Sequence, residues 1–306
     1  MSALTWASYD DGVCVSKRAH VKAVEHIIKM RGGSQAHLMR CSDGHFYVVK
    51  FKNNPQHIRT LVNELLAVRL MEKLDLPTTP TAIVDVSQRL IDRTPDLVVD
   101  LPRHRVPCSS GFQFGSRYFG NPHKGWVLEN VATDKLSTIQ NWRDFAGMVV
   151  FDKWTCNCDG RQFVFRLRGG AKYSMVGIDQ GFCFNSVEWT FPDAPLRGLY
   201  GNKTVYRNIK GMDDFEPWLS RLENEMKFED ILEAVKDIPT EWYESDYGPI
   251  CRLLEHLNRR RILVRELIRH SCVRLPLIFP RWKGDLAGRL VAIQGEQLRP
   301  LASKGN

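Results

Sequence analysis

An α+β protein, β-rich up to about residue 125 and mainly helical from about 126, is predicted by three features of the 306-residue sequence. Short β-branched and aromatic runs bounded by turn residues fill most of residues 1–125. A single long apolar-periodic stretch, ending near Leu74, interrupts them. Beyond 126 the spacing turns helical around two strand-like runs, Phe163-Val164-Phe165 and Met175-Val176-Gly177-Ile178.

In chain order, Met30-Arg31-Gly32-Gly33-Ser34-Gln35 sets two glycines and a serine ahead of a short strand, Ala36-His37-Leu38-Met39. Glycine lets backbone amides approach phosphate oxygens, so Gly32, Gly33, Ser34 and Gln35 form a candidate nucleotide-covering loop; a plain turn is the competing reading. Ser42-Asp43-Gly44 then turns the chain into the strand from His45 to Phe51, where period-two alternation puts Phe46, Val48 and Lys50 on one face. Asn54-Pro55 predicts an N-cap and first position for a helix running to Leu74. Within it Leu61, Glu64, Val68 and Met71 share a stripe. Lys50 and Glu64 are thus charges written into apolar patterns. Burying either alone costs several kcal/mol, and pairing offsets part of that, so the two are expected to face each other rather than to reach water separately. A strand lysine held by a helix glutamate grips phosphate in protein kinases.

Turn-rich stretches at 76–80 and 100–111 separate further strands, and Gly111 to Gly120 is expected to lead toward a linker. A helix is predicted from Trp142 to Trp154, followed by the polar loop Thr155-Cys156-Asn157-Cys158-Asp159-Gly160-Arg161-Gln162. A polar loop between two apolar elements is where catalytic groups tend to sit, which makes Asp159 the candidate catalytic carboxylate. The buried-type strand Met175 to Ile178 ends in Asp179, a candidate metal ligand. As isolated residues both aspartates also suit turns and caps. Their order after Lys50 and Glu64 favours phosphoryl transfer, where a protein positions groups and neutralises charge.

The combination of Gly32-Gly33-Ser34-Gln35, Val49-Lys50, Phe114-Gly115-Ser116-Arg117, Phe151-Asp152-Lys153-Trp154-Thr155, Asn157-Cys158-Asp159-Gly160-Arg161-Gln162 and Ile178-Asp179-Gln180-Gly181-Phe182 resembles the bacterial HipA-like kinases, in particular a short subgroup. The likeness runs from about Gly32 to Arg265. It implies a two-lobed kinase fold related to the phosphoinositide kinases, with an N-lobe over 1–125 and a C-lobe over 126–306. It also implies use of ATP and Mg²⁺ and transfer to a Ser or Thr hydroxyl of a protein. By resemblance Lys50 would hold phosphate, Glu64 would hold Lys50, Asp159 would be the catalytic base and Asp179 the metal ligand. The family's metal-holding Asn, five residues after the catalytic Asp, is Val164 here. Gln162 is the candidate replacement, and Arg161, at the family's usual His, is expected to support Asp159 or a phosphate. This departure also keeps open a pseudokinase that binds nucleotide with little transfer.

With 43% hydrophobic and 25% charged residues the composition is ordinary globular usage. Neither a signal peptide at Met1 to Asp11 nor an eighteen-residue apolar run is expected, which points to the cytoplasm and a reducing compartment without disulfides. Cys156, Cys158 and Cys183 flank the candidate site, but a Cys-x-Cys pair is tighter than structural zinc spacing. From Cys251 to Asn306 there are twelve Lys or Arg against four Asp or Glu, an excess equal to the whole net charge of +8. The segment Arg252 to Arg269 reads as one helix with Leu253, Leu257, Val264 and Leu267 at core spacing and Arg259-Arg260-Arg261 outward. It is either a docking surface for an acidic protein or nucleic acid, or a solvated basic face. Trp189 to Pro195 is expected to be an ordered loop in the place of an activation segment, and the stretch from Arg281 onward to be partly mobile.

Overall fold

The computed structural model describes residues 20–119, 122, 127–129, 131–167 and 172–284. The N-terminal segment Met1 to Asp11, and the whole tail beyond Gly284, lie outside these residues. Strands β1 (His20–Lys29), β2 (His37–Cys41) and β3 (Phe46–Lys50) lead into helix α1 (Arg59–Lys73). Strand β4 (Thr81–Val86), helix α2 (Gln88–Asp92), the hairpin β5 (Val98–Asp100) and β6 (Arg105–Pro107), and β7 (Gly111–Arg117) follow. Five of these strands close a barrel in the order β1-β2-β3-β7-β4, with β4 pairing parallel to β1. The alternation of β3 decides what this barrel holds. Tyr47 and Val49 join its interior with Val21, Met39 and Val84, which leaves Phe46, Val48 and Lys50 on the other face. Lys50 lies directly opposite Phe114 of β7, and Phe114 packs in the same core as Leu61 and Leu65 of α1. Lys50 therefore projects toward the helix that carries Glu64.

Helix α1 starts four residues later than predicted. Asn54 does not cap it. Its carboxamide closes a turn of its own, accepting from Gln56 N at 2.9 Å and donating to Phe51 O at 2.7 Å, a local bond that competes with capping. Nor does the helix bury a single stripe: Thr60 through Met71 are all buried, because α1 is covered by the barrel, by residues 183–188 and by helix α5 (Phe228–Val235). Leu61, Val62, Leu66, Leu70 and Met71 have no exposed surface, and each contributes about 1.5–3 kcal/mol by its burial.

The second half contains β8 (Val127–Leu128), a 3₁₀ turn (Thr133–Thr138), α3 (Asp144–Thr155), β9 (Gln162–Leu167) and β10 (Tyr173–Ile178). The strands form a sheet in the order β10-β9-β8. Gly177 N donates to Pro77 O at 2.9 Å, so the segment between α1 and β4 is stitched to β10. Helices α4 (Trp218–Ser220), α5, α6 (Tyr247–Arg260) and α7 (Val264–Arg274) follow among the described residues.

Gly111 to Arg117, expected to lead toward a linker, forms the barrel strand β7 between β3 and β4, and most of residues 120–126 lie outside those described. Two further expectations need correction. The helix expected over 252–269 is two helices, broken by a 3₁₀ turn at Arg261–Leu263, and Ile268 is buried in place of Leu267. The arginine triplet is not an outward patch. Arg260 is buried against Asp193 and donates to Lys153 O at 3.0 Å, Arg261 donates to Met226 O, and Arg259 alone is exposed beside Glu255. The start of the basic tail is also held: Lys283 N donates to Lys210 O at 2.9 Å, and Arg281 reaches Asn208 at 3.0 Å.

Candidate active site

Three chain segments that are distant in sequence meet at Lys50. Its Nζ donates to Glu64 Oε1 and, at 2.8 Å, to Asp179 Oδ1. Glu64 is itself fixed by the turn that follows β10, accepting from Gln180 N and Gly181 N, both at 3.0 Å. The lysine and glutamate side chains are 9% and 3% exposed, whereas the Asp179 side chain is 29% exposed. The group thus opens to solvent on its aspartate side. Asp179 adopts the left-handed conformation, φ 57°, which a short polar side chain tolerates and which turns its carboxylate back toward Lys50.

Burial works against the Lys50 ammonium, but the Glu64 and Asp179 carboxylates outweigh it and raise its pKa above that of an ordinary lysine. Burial raises Glu64, with Lys50 opposing. Asp179 would also be raised by burial, yet Lys50 holds it below the usual carboxylate range. The two carboxylates move apart because Glu64 is the deeper one. One ammonium beside two carboxylates leaves a deficit of positive charge at the exposed edge.

The loop bearing Asp159 is built on a buried ion pair. Arg161 lays its guanidinium on Asp152 of α3, with Nε 2.9 Å from Oδ2 and Nη2 on Oδ1. Its third nitrogen donates to Gln180 Oε1 at 2.5 Å. Asn157 donates to Asp152 Oδ1 at 3.0 Å, and its own oxygen accepts from Asp159 N at 3.1 Å. Gly198 closes over the pair in the left-handed region, φ 75°, where a Cβ would lie 2.3 Å from that of Asp152. Arg161 therefore does not reach Asp159, as its position after that residue suggested. It joins the Asp159 loop to the turn carrying Asp179, and leaves Asp159 exposed at the surface. Sequence reasoning missed Asp152, Asn157 and Gln180 as the frame of the site. The signal was available: Asp152 is a charge inside the apolar helix pattern Met148 to Trp154, as Glu64 is in α1.

Asn63 was missed as well. One residue before Glu64, it donates to Gly181 O and Ser186 O, both at 2.8 Å, and accepts from Trp189 Nε1 at 2.8 Å. Arg59 donates to Val187 O and stacks 4.6 Å from the Trp189 ring. Residues 190–197 are held from below, where Lys153 Nζ donates to Ala194 O, Pro195 O and Arg197 O. The expected activation-segment stretch Trp189 to Pro195 is ordered through these bonds.

Gly32, Gly33, Ser34 and Gln35 lie between β1 and β2, and His37 pairs with Val49, so this loop stands at the Lys50 end of β3. Gly32 has φ 123°, open only to glycine. The Gln35 side chain turns away from Lys50 onto Asp100. Gln162 is exposed at the start of β9, opposite Ile178, with Val164 on the same strand face. Among the described residues no group of three or more His, Cys, Asp or Glu is placed to hold a metal by itself.

A barrel-strand lysine joined to a helix glutamate, and to the aspartate that ends a second sheet, is the kind of arrangement that grips phosphate in kinases. The crystal structure of the Helicobacter pylori proinflammatory kinase CtkA shares the fold, with 12% identity, a TM-score of 0.50, and coverage of 84% of this chain and 100% of that one. The Golgi casein kinase aligns with 14% identity over 83% of this chain and 73% of its own, at a TM-score of 0.44. The HipA of a Shewanella oneidensis MR-1 HipA, HipB and operator DNA complex aligns with 12% identity over 72% and 60%, at 0.39. Residues 24–164, from β1 to the middle of β9, match the HipA-like kinase family. This is the family that the motifs resembled, and the matched stretch carries Lys50, Glu64, Asp152 and Asp159. No curated protein matches the chain, and among the described residues no helix is long and apolar enough to cross a membrane.

Proposed function

We propose that the protein is an ATP- and Mg²⁺-dependent phosphotransferase, a HipA-like kinase acting on a Ser or Thr hydroxyl of a protein, with its nucleotide between an N-lobe (1–125) and a C-lobe (126–306). The kinase-family match and the kinase fold support phosphotransfer of the kinase type. The observation that carries the proposal is the convergence of Lys50, Glu64 and Asp179 across 129 positions of chain. In it Lys50 holds phosphate oxygens, Glu64 orients Lys50, and backbone amides of Gly32 to Ser34 cover the phosphates. Asp159 accepts the proton of the acceptor hydroxyl. The donors suit Mg²⁺, which takes one or two protein oxygens together with phosphate and water: Asp179 is partly exposed and Gln162 is exposed, whereas Asn157 is buried with its carboxamide bridging Asp152 and Asp159. When bound, the ion would offset the deficit of positive charge beside Asp179 and neutralise phosphate oxygens.

Val164, where the family's metal-holding Asn would stand, supports one further reading, a nucleotide-binding pseudokinase. Incubation with labelled ATP and Mg²⁺ separates the two, using the native chain, Asp159→Ala and Asp179→Ala with a generic protein acceptor. Transfer by the native chain alone is expected. Transfer that persists in either variant removes that residue from its role, and ATP binding without transfer by the native chain selects the pseudokinase.

A further inference from the structure

The loop over the candidate phosphate site is held shut from outside the kinase frame. The hairpin β5–β6 is a two-stranded sheet apart from the barrel, and its strand β5 is met at Asp100 by the side chain of Gln35. The carboxamide of Gln35 donates to Asp100 O at 2.8 Å and accepts from Asp100 N at 2.7 Å. It thus fills the place that a peptide of a third strand would fill along the free edge of β5. Lys29, the last residue of β1, closes the arrangement: its ammonium donates to Gln35 Oε1 at 2.7 Å, Val98 O at 2.9 Å and Asp100 Oδ2 at 2.7 Å. Gln35 is held at φ 49°, a conformation uncommon for a residue with a Cβ, and its N–H bonds back to Gly32 O at 3.1 Å. The far side of the hairpin is anchored to the segment just after Lys50, where Asn53 donates to Pro107 O at 2.9 Å and accepts from Ser109 N at 3.0 Å.

We infer that β5–β6 is a latch that sets the nucleotide-covering loop, with Gln35 and Lys29 as its positioning residues, and that it governs nucleotide affinity rather than the transfer step. The physical reason is preorganisation. A glycine-bearing loop loses conformational entropy when it orders around phosphate, and a loop already tied at both ends loses less on binding. Gln35 then contributes no contact to the nucleotide, because both ends of its carboxamide are engaged by Asp100. Asp159 and Asp179 sit on other segments and are untouched by the latch.

The inference rests on the proposed kinase activity, and a titration of ATP in the transfer assay distinguishes the two. Gln35→Ala, which removes the rung, is expected to raise the KM for ATP about tenfold with kcat within twofold of native. Asp100→Asn, which keeps the two backbone partners of Gln35 and weakens the ion pairs of Asp100 with Lys29 and Arg105, is expected to raise it less than threefold. An unchanged KM in Gln35→Ala, or a fall in kcat with KM unchanged, overturns the latch while leaving the kinase assignment standing. A native chain with no ATP affinity, measured by ATP-induced thermal shift, overturns both. Amide exchange gives a readout independent of activity: the amides of Gly32 to Gln35 exchange faster in Gln35→Ala than in the native chain, and equal protection overturns the latch.

Discussion

Replacing Arg161 by Met tests the frame of the site most directly. The guanidinium and the Asp152 carboxylate are 0% and 1% exposed, so the variant leaves a carboxylate buried with Asn157 as its remaining side-chain donor. It also frees Gln180 Oε1 inside the protein. Breaking a buried pair from one side costs about 3–5 kcal/mol, most of it the desolvation of the charge left behind. Arg161→Met is therefore expected to lose about that much in urea unfolding. The double variant Asp152→Asn/Arg161→Met, with no charge to strand, is expected to recover more than half of the loss. Phosphotransfer should fall in the single variant even at temperatures where it stays folded, since Arg161 ties the Asp159 loop to the Asp179 turn. An Arg161→Met chain within about 1 kcal/mol of native, or a double variant no more stable than the single, refutes the buried-pair account.

Three other perturbations have defined outcomes. His37 has no exposed surface, and burial, reinforced by the nearby His26 and by Lys29 against the weaker pull of Asp100, lowers its pKa to about 4. The folded state then refuses a proton that the unfolded state binds near pH 6.5. His37 thus gives full stability above that pH and loses about 3 kcal/mol on acidification to pH 4; urea midpoints from pH 7.5 to 4 should flatten in His37→Gln, and an unaltered acid limb contradicts the assignment. Asn63→Ala strands the carbonyls of Gly181 and Ser186 and the indole of Trp189, so a loss of about 2–4 kcal/mol and new protease cleavage within 184–197 are expected; resistance equal to native counts against the clamp. Gly198→Ala combines a left-handed backbone with a Cβ driven onto Asp152, and a loss of about 2 kcal/mol or more is expected by thermal melting; a neutral result shows that the loop can shift.

Single charges inside apolar periodicity were the strongest sequence signals, and their value can be followed residue by residue. Lys50 and Glu64 stood out because a lone buried charge is too costly to leave unpaired, and the structure pairs them. Asp179 stood out as the polar end of a buried strand, and it joins the same ammonium. Arg161 shows where that reasoning stops. Adjacency in sequence pointed to Asp159, but the side chain leaves the loop for Asp152, nine positions back and one helix away. Gln35 shows the same limit, since its partner Asp100 is 65 positions distant. The arginines at 259–261 do not share one outward face, because Arg260 falls on the buried stripe of Leu253 and Leu257 in α6 and Arg261, where the 3₁₀ turn begins, donates to Met226 O.

The order and spacing of charged residues within strands and helices, a local property of periodicity and desolvation cost, was enough to single out the Lys50 and Glu64 pair and the strand ending at Asp179, while the kinase-like class came from the resemblance of the motifs around them. Only the folded chain decided which buried partner each remaining polar group took. Arg161, Asn63, Gln35 and Arg260 each had several acceptors of equal chemical merit in the sequence, and the choice among them depended on which segments the barrel, α1 and α3 brought within about 3 Å, the reach of a hydrogen bond.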